Sequence, residues 1–235
     1  MPARGGSTVV EPVVLSASRA TDIPAFYADW FMRRLRAGFF RWANPFNAAQ
    51  VQTVSVAKTR AIVFWTKDPA GIEPHLDELD RRGLHYYFQY TLNDYEAESL
   101  EPGLPALAAR IDSFRRLADR LGPDRVVWRL DPLLLTDRLG VPELLDRAAR
   151  LMAQLARHVR KLVFSFADIA AYPAVRRNLA RAGIAAREFA PAEMDEFARG
   201  LAALNRAHGL ALATCAEEID LAAHGIAHNR CVDGE

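Results

Sequence analysis

The sequence predicts an α/β fold, a (β/α) barrel or partial barrel of about six parallel strand–helix units with a small antiparallel excursion after the first helix. Short apolar runs alternate with longer amphipathic segments along the chain. The runs are rich in β-branched and aromatic residues and nearly continuous in apolarity, which is typical of strands covered on both faces. Each run ends in polar residues, and a barrel brings such ends to one mouth, where the sites of parallel α/β folds assemble.

The predicted strands are the apolar runs themselves. In chain order they are VVLSAS (13–18), AIVFWTK (61–67), YYFQYTL (86–92), VVWRLDPL (126–133), KLVFSFAD (161–168) and LALATCAEE (210–218). Apolar residues at helical spacing predict helices over 21–38, 105–122, 141–159 and 191–209. In the first helix, Asp22 is a candidate N-cap, Pro24 stands in the first turn and Gly38 stands at the end. Successive units of this kind predict right-handed crossovers.

One segment interrupts the alternation. Residues 39–58 are too long for a simple connection and contain the alternating stretch QVQTVSV (50–56), which predicts a two-stranded antiparallel ribbon or lid. No stretch has the composition of an interdomain linker. We therefore expect a flexible N-terminus over residues 1–12 and a single barrel-like domain over residues 13–235.

Composition narrows the classes of function. The formal net charge of +1 gives no general attraction to nucleic acid or to an anionic membrane. No apolar run approaches the roughly 20 residues that span a bilayer, and the N-terminus lacks the apolar core of a secretory signal. We therefore expect a cytoplasmic protein with a small-molecule substrate, and the oligomeric state is open. Two cysteines, Cys215 and Cys231, do not make a disulfide scaffold.

The residues that follow the predicted strands are the candidate site. We expect three of them, Lys67, Asp131 and Glu217, to act as acid or base. The remaining strand-end residues are expected to bind substrate or cofactor: Ser16, Ser18, Arg19, Asp22, Trp65, Gln89, Thr91, Arg129, Ser165, Asp168 and Glu218. Lys67 draws notice because the chain otherwise uses arginine almost throughout, and a compact ammonium suits a carboxylate or phosphate ligand.

Each candidate also has a structural interpretation. Asp22 and Asp168 are equally good helix caps. Arg129 and Asp131 alternate on one strand face, so they could form a structural ion pair. Trp65 is of a type that more often packs in a core. Standard signatures such as the P-loop, G-x-G-x-x-G, G-x-S-x-G and H-E-x-x-H are absent from the sequence.

Several longer motifs together resemble a known family. They are SASRATDIPAFYADWFMRRLRAG, NPFN, IVFWTKDP, YYFQYTL, RLDPLLLTD, SFAD and CAEEIDLAAHGIAHNRCVD, in this order. Over about residues 13–233 the chain is similar to the uncharacterised bacterial family catalogued as domain of unknown function 1848.

The resemblance implies a cofactor. Longer members of the family continue into a cysteine-rich tail that ends in C-x-x-x-C-x-x-C, a spacing similar to the cluster motif of radical S-adenosylmethionine enzymes. Such enzymes use a full or partial α/β barrel, a 4Fe–4S cluster and S-adenosylmethionine. This sequence stops at Glu235 without that run. The resemblance thus implies either a truncated sequence or a member without the cluster, with Cys215 and Cys231 as ligands of a metal site that tail cysteines would complete.

Three functions follow as hypotheses. The first is the barrel portion of a radical S-adenosylmethionine-like enzyme, with cluster and S-adenosylmethionine bound in a full-length form. The second is a cofactor-independent hydrolase, lyase or isomerase that uses Lys67, Asp131 and Glu217. The third is a nucleic-acid-associated accessory module, which the near-neutral charge disfavours and which a patch of Arg33, Arg34 and Arg36 would support.

Overall fold

A computed structural model describes residues 8–17, 20–44, 47–230 and 232, without the side chains of Thr8 and Ala48. Contacts between residues divide the chain into two compact units, Met1–Phe88 and Gln89–Glu235. The expectation of a single domain stays a prediction.

The strands and helices alternate along the chain as the sequence predicts. The strands are β1 (Thr8–Val10), β2 (Val14–Ala17), β3 (Phe39–Asn44), β4 (Asn47–Ser55), β5 (Ala61–Thr66), β6 (His85–Thr91), β7 (Val126–Leu133), β8 (Leu135–Thr136), β9 (Lys161–Phe166), β10 (Ala186–Arg187), β11 (Ala211–Thr214) and β12 (Ile226–His228). The helices are α1 (Ile23–Phe26), α2 (Ala28–Arg36), α3 (Leu76–Arg81), α4 (Leu107–Leu121), α5 (Val141–Leu155), α6 (Pro173–Arg181) and α7 (Pro191–Asn205).

The central sheet confirms the α/β class. Within the described ranges, seven strands form a parallel sheet in the order β12–β11–β9–β7–β6–β5–β2. All six predicted strands belong to it. The seventh, β12, was not predicted, because two of its three side chains are exposed and it has no apolar run. Strands β12 and β2 stand at the two ends of the order, and closure into a barrel stays a prediction.

The first unit carries the antiparallel excursion. Strands β3 and β4 pair antiparallel, which confirms the predicted ribbon. Strand β1 adds to it in parallel with β4, so the backbone of Thr8–Val10 joins this sheet. The expectation of a flexible N-terminus stays a prediction. The predicted helix over 21–38 is divided into α1 and α2, because Tyr27 leaves the helical region with φ −135° and ψ 21°. Helix α2 buries Phe31 and Met32 in the core.

The second unit is built on β7, β9, β11 and β12. Each adjacent pair of these strands is parallel. Helices α4, α5 and α7 bury one apolar face each, and Gly122 ends α4 with φ +89°, a conformation that glycine adopts without penalty. Strands β8 and β10 form a separate antiparallel pair that was not predicted. Helix α6 has no buried residue.

Helix length and hydropathy were also compared with what a bilayer requires. Among the described residues, no helix is both long enough and apolar enough to cross a membrane.

Candidate active site

Strand register in the second unit lines up four polar residues at the carboxyl edge of the sheet. Leu130 of β7 and Thr214 of β11 both pair with Phe164 of β9, and Thr214 also pairs with His228 of β12. The residues that follow these positions are Asp131, Ser165, Cys215 and Asn229. Because side chains alternate along strands, residues at one register level share a face. We call these four residues the edge row.

Arg129 and Asp131 form the polar centre of this edge. The Arg129 guanidinium donates from Nε (2.9 Å) and Nη2 to Asp131 Oδ2, and from Nη1 to Gln89 Oε1 at 3.3 Å. Ser165 Oγ donates to Asp131 Oδ1. Arg129 is only 3% exposed and Gln89 only 1%, whereas the Asp131 side chain is 21% exposed, so the network is buried at Arg129 and reaches solvent at Asp131. Both carboxylate oxygens of Asp131 are thus occupied.

Asn93 fixes the backbone of Asp131. Its Nδ2 donates to the Asp131 carbonyl at 3.1 Å, and its Oδ1 accepts the Asp131 N–H at 3.0 Å. Asn93 is held in turn by Arg110, whose Nη1 donates to the Asn93 carbonyl at 3.1 Å. A paired amide of this kind replaces both strand hydrogen bonds at a point where β7 loses its regular register.

Arg129 also interacts with the side chain of Cys215. Burial lowers the pKa of Arg129, but the Asp131 carboxylate and a hydrogen bond to the Cys215 side chain outweigh it, so this pKa lies above its ordinary value. The guanidinium is therefore a permanent cation next to the edge row, and it can hold a carboxylate and a thiol at once.

Glu217 places a half-buried carboxyl group at the same edge of the sheet. Its Oε1 accepts the Phe166 N–H at 2.7 Å, and within the described part of the chain its Oε2 has no hydrogen-bond partner. Burial raises its pKa above the ordinary value of 4.5, the Phe166 N–H lowers it, and repulsion from Asp131 and Asp168 adds to the rise. A carboxyl group with a raised pKa keeps its proton to a higher pH than an ordinary carboxyl group, which suits a residue that exchanges protons with a substrate.

Asn229 was not singled out from the sequence. Its backbone N–H donates to the Thr214 carbonyl at 2.8 Å. Both polar atoms of its side chain are buried, and neither has a hydrogen-bond partner among the described residues. Buried amides are nearly always paired, so an unpaired one at a strand end is a group that a ligand or ordered water would satisfy.

The first unit has its own strand-end cluster around Asp22. The Asp22 side chain caps α1 by accepting the Ala25 N–H at 2.9 Å, which confirms the predicted N-cap. It also accepts from Thr66 Oγ1 (2.8 and 3.0 Å) and from the Lys67 N–H at 2.7 Å. Burial raises the pKa of Asp22, and these hydrogen bonds partly offset the rise. This cluster fixes the turn after β5 against α1, and the Lys67 side chain is half-buried beside it.

Ser16 and Trp65 also meet in the first unit. Trp65 Nε1 donates to Ser16 Oγ at 3.0 Å, at the carboxyl ends of the paired strands β2 and β5. Trp65 is half-buried. The indole is therefore anchored by a polar contact as well as by packing.

The other predicted site residues lie less centrally. Asp168 is exposed, and its Oδ1 accepts the Ala171 N–H at 3.0 Å within a local turn; the N-cap of α6 is Tyr172. Glu218 is exposed, and Thr91 is half-buried at the end of β6. Ser18, Arg19 and Cys231 lie outside the described residues. Whether the clusters of the two units serve one pocket stays a prediction.

Comparison with known protein families shows to which family the chain belongs. The family model for the domain of unknown function 1848 matches residues 14–235, nearly the whole sequence. The chain belongs to this family. No curated protein and no solved structure matches it. The resemblance found in the sequence motifs is thereby confirmed, and the activity of the domain of unknown function 1848 has to be argued from the site.

The implied iron–sulfur cluster can be tested against the residues of this family member. A 4Fe–4S cluster takes three or four cysteine thiolates. The chain has two cysteines, of which the structure describes Cys215. No three His, Cys, Asp or Glu side chains within the described ranges are grouped to hold a metal ion. Two cysteines alone do not fit the cluster.

Proposed function

We propose that this chain is the catalytic α/β portion of an enzyme that acts on a polar small molecule by proton transfer. The substrate would bind at the carboxyl ends of β6, β7, β9 and β11. The observation that carries the proposal is Glu217, a half-buried carboxyl with a raised pKa and one oxygen free of described partners, near the polar network in which Arg129 is buried. Perturbed titratable groups of this kind concentrate at active sites.

The residues have different roles in this proposal. Glu217 exchanges a proton with a substrate hydroxyl or amine through Oε2. Asp131 is a positioning residue, because Arg129 and Ser165 already occupy both of its oxygens. Asn229 offers one donor and one acceptor to the same ligand. Lys67 belongs to the first unit, and its part in the reaction stays a prediction.

The adjacent glutamates provide a matched test. A panel of amines, polyols and amides is screened by thermal shift against the wild-type chain, Glu217→Gln and Glu218→Gln. Glu218 is exposed, so its variant controls for loss of one negative charge at this edge. We expect ligands that stabilise the wild type and the Glu218 variant but not the Glu217 variant. Ligands that stabilise all three proteins equally would refute the role of Glu217.

A second candidate function is the barrel portion of a radical S-adenosylmethionine-like enzyme. Family membership, the parallel sheet and the polar strand ends support it, as does Cys215 beside the Arg129 guanidinium. The cluster and S-adenosylmethionine would require cysteines beyond those of this sequence. The test is a version that carries the cysteine-rich tail, purified without oxygen. Iron, a brown colour and cleavage of S-adenosylmethionine are expected, and a colourless, iron-free protein would refute this candidate.

A further inference from the structure

The first unit contains an apolar cavity that takes no part in the proposed proton transfer. Its volume is about 440 Å³, within the range of roughly 300–1,000 Å³ found for small-molecule sites. The lining includes Ser16 of strand β2, Tyr27 between α1 and α2, Trp30 of α2, and Arg41 and Trp42 of the β3–β4 ribbon. All of these elements belong to the first unit, Met1–Phe88.

Large aromatic side chains at this cavity remain open to solvent. Tyr27 is 50% exposed, Trp30 40% and Trp42 46%. The rings behind them are packed, since Trp30 and Phe40 have ring centroids 5.7 Å apart. Exposed aromatic groups around a preformed hollow are the arrangement that a flat apolar ligand would cover, with gains from buried area and from ring stacking.

The charge of Arg41 determines which kind of ligand the cavity favours. Among the described residues that line the cavity, Arg41 is the one with a charged side chain, and it forms no ion pair with any residue that the structure describes. Three aromatic rings alone could also bind a quaternary ammonium group. The Arg41 guanidinium opposes a cation and favours an anion. We propose that this cavity binds a small aromatic anion, with the ring against Tyr27, Trp30 and Trp42 and the anionic group towards Arg41.

Four probes separate the parts of this proposal. They are naphthalene-2-carboxylate, naphthalene-2-methanol, naphthalene-2-methylammonium and cyclohexanecarboxylate, each titrated against the full chain by calorimetry. We expect the naphthalene carboxylate to bind most tightly, the alcohol more weakly and the ammonium most weakly of the naphthalenes. Cyclohexanecarboxylate tests whether the flat ring matters, and it should bind more weakly than naphthalene-2-carboxylate.

Variants locate the binding. Arg41→Gln should weaken the naphthalene carboxylate by about two- to fivefold, the range for an exposed ion pair, and leave the alcohol unchanged. Trp42→Ala should weaken both by about three- to tenfold. Arg34→Gln is the matched control, because Arg34 lies over the Phe39 ring and does not line the cavity. Circular dichroism melting confirms that each variant is folded.

Some results would overturn the proposal. Absence of binding by naphthalene-2-carboxylate at millimolar concentration would do so, as would tighter binding of the ammonium, or an unchanged affinity in Trp42→Ala. If Arg41→Gln and Arg34→Gln weakened the binding of naphthalene-2-carboxylate equally, the preference for an anion would not come from Arg41. Should a variant fail to fold, the ranking of the four probes on the wild type decides alone. Since no step involves Glu217, failure here leaves the proposed enzyme function standing.

Discussion

Replacing Asp131 by Asn tests whether the edge row is built around a desolvated ion pair. The substitution keeps the shape of the side chain and removes its charge. Arg129 then stays 3% exposed, without its carboxylate partner. Removing one member of a buried ion pair generally lowers the free energy of unfolding by about 3–5 kcal/mol, because an uncompensated charge is left behind.

The expected loss is large enough to measure in two ways. For a chain of 150–250 residues, about 1 kcal/mol shifts Tm by roughly 2–4 °C, so the Asn variant should melt about 6–20 °C lower. Urea unfolding followed by far-ultraviolet circular dichroism gives the free energy directly. The matched control is Asp146→Asn, which removes the carboxylate of an exposed pair with Arg150 on α5. That variant should lose less than about 1 kcal/mol.

A double variant distinguishes a structural pair from a pair kept for function. In Arg129→Met/Asp131→Leu, both charges are replaced by apolar groups, which is often neutral or stabilising at buried sites. We expect most of the lost stability to return, while ligand binding at the edge row does not. A loss below about 1 kcal/mol in the Asp131 single variant would refute the reasoning, since Arg129 would then be solvated in another way.

Three further predictions concern single groups. The first is the pH dependence of Glu217→Gln. Because the pKa of the wild-type carboxyl is raised, the free energy of unfolding of the wild type falls as pH rises from about 4.5 through the folded-state pKa. The difference in this free energy, variant minus wild type, should therefore grow between pH 4 and pH 7.5, and a difference in urea unfolding that does not change with pH would contradict the prediction. Asp22→Ala removes a helix cap and the acceptor for the Lys67 N–H, so it should lower the free energy of unfolding by about 2–4 kcal/mol, and a loss below about 0.5 kcal/mol would count against the cap. Asn229→Leu removes an unpaired buried amide, so thermal melting should show equal or higher stability, whereas a clear loss would mean that the amide is paired.

The sheet was predictable because its signal is local. Each apolar run predicts a strand, and the six runs correspond to β2, β5, β6, β7, β9 and β11. Burial on both faces does not hold for β2, where Val14 and Ser16 are exposed. Strand β12 has no such run, since Ala227 and His228 are exposed and only Ile226 is buried. Tertiary pairing with β11 makes it a strand. The break at Tyr27 was missed for a related reason, because an amphipathic pattern does not show where one helix ends and the next begins.

The site was predictable in part. Alternation along one strand places Arg129 and Asp131 on the same face, and the structure pairs them. Their other partners come from distant parts of the chain. Asn93 stands 38 residues before Asp131 in the sequence, and only the strand register brings them together. Sequence patterns give the residue types at the edge of the sheet, but the neighbours depend on non-local pairing.

Hydrogen-bond saturation separates the structural polar groups from those that are open to a ligand. Asp22 was predicted from the sequence as a binding residue or a helix cap, and both of its oxygens are used by Ala25, Thr66 and Lys67. Carboxylates whose two oxygens both accept hydrogen bonds from the protein in this way stabilise the fold. Glu217 keeps one oxygen without a described partner, although its raised pKa shows that its charge is poorly compensated. This oxygen lies on a half-buried carboxyl group at the carboxyl edge of a parallel sheet, where the sites of α/β folds assemble, so a bound substrate is the partner that we expect for it.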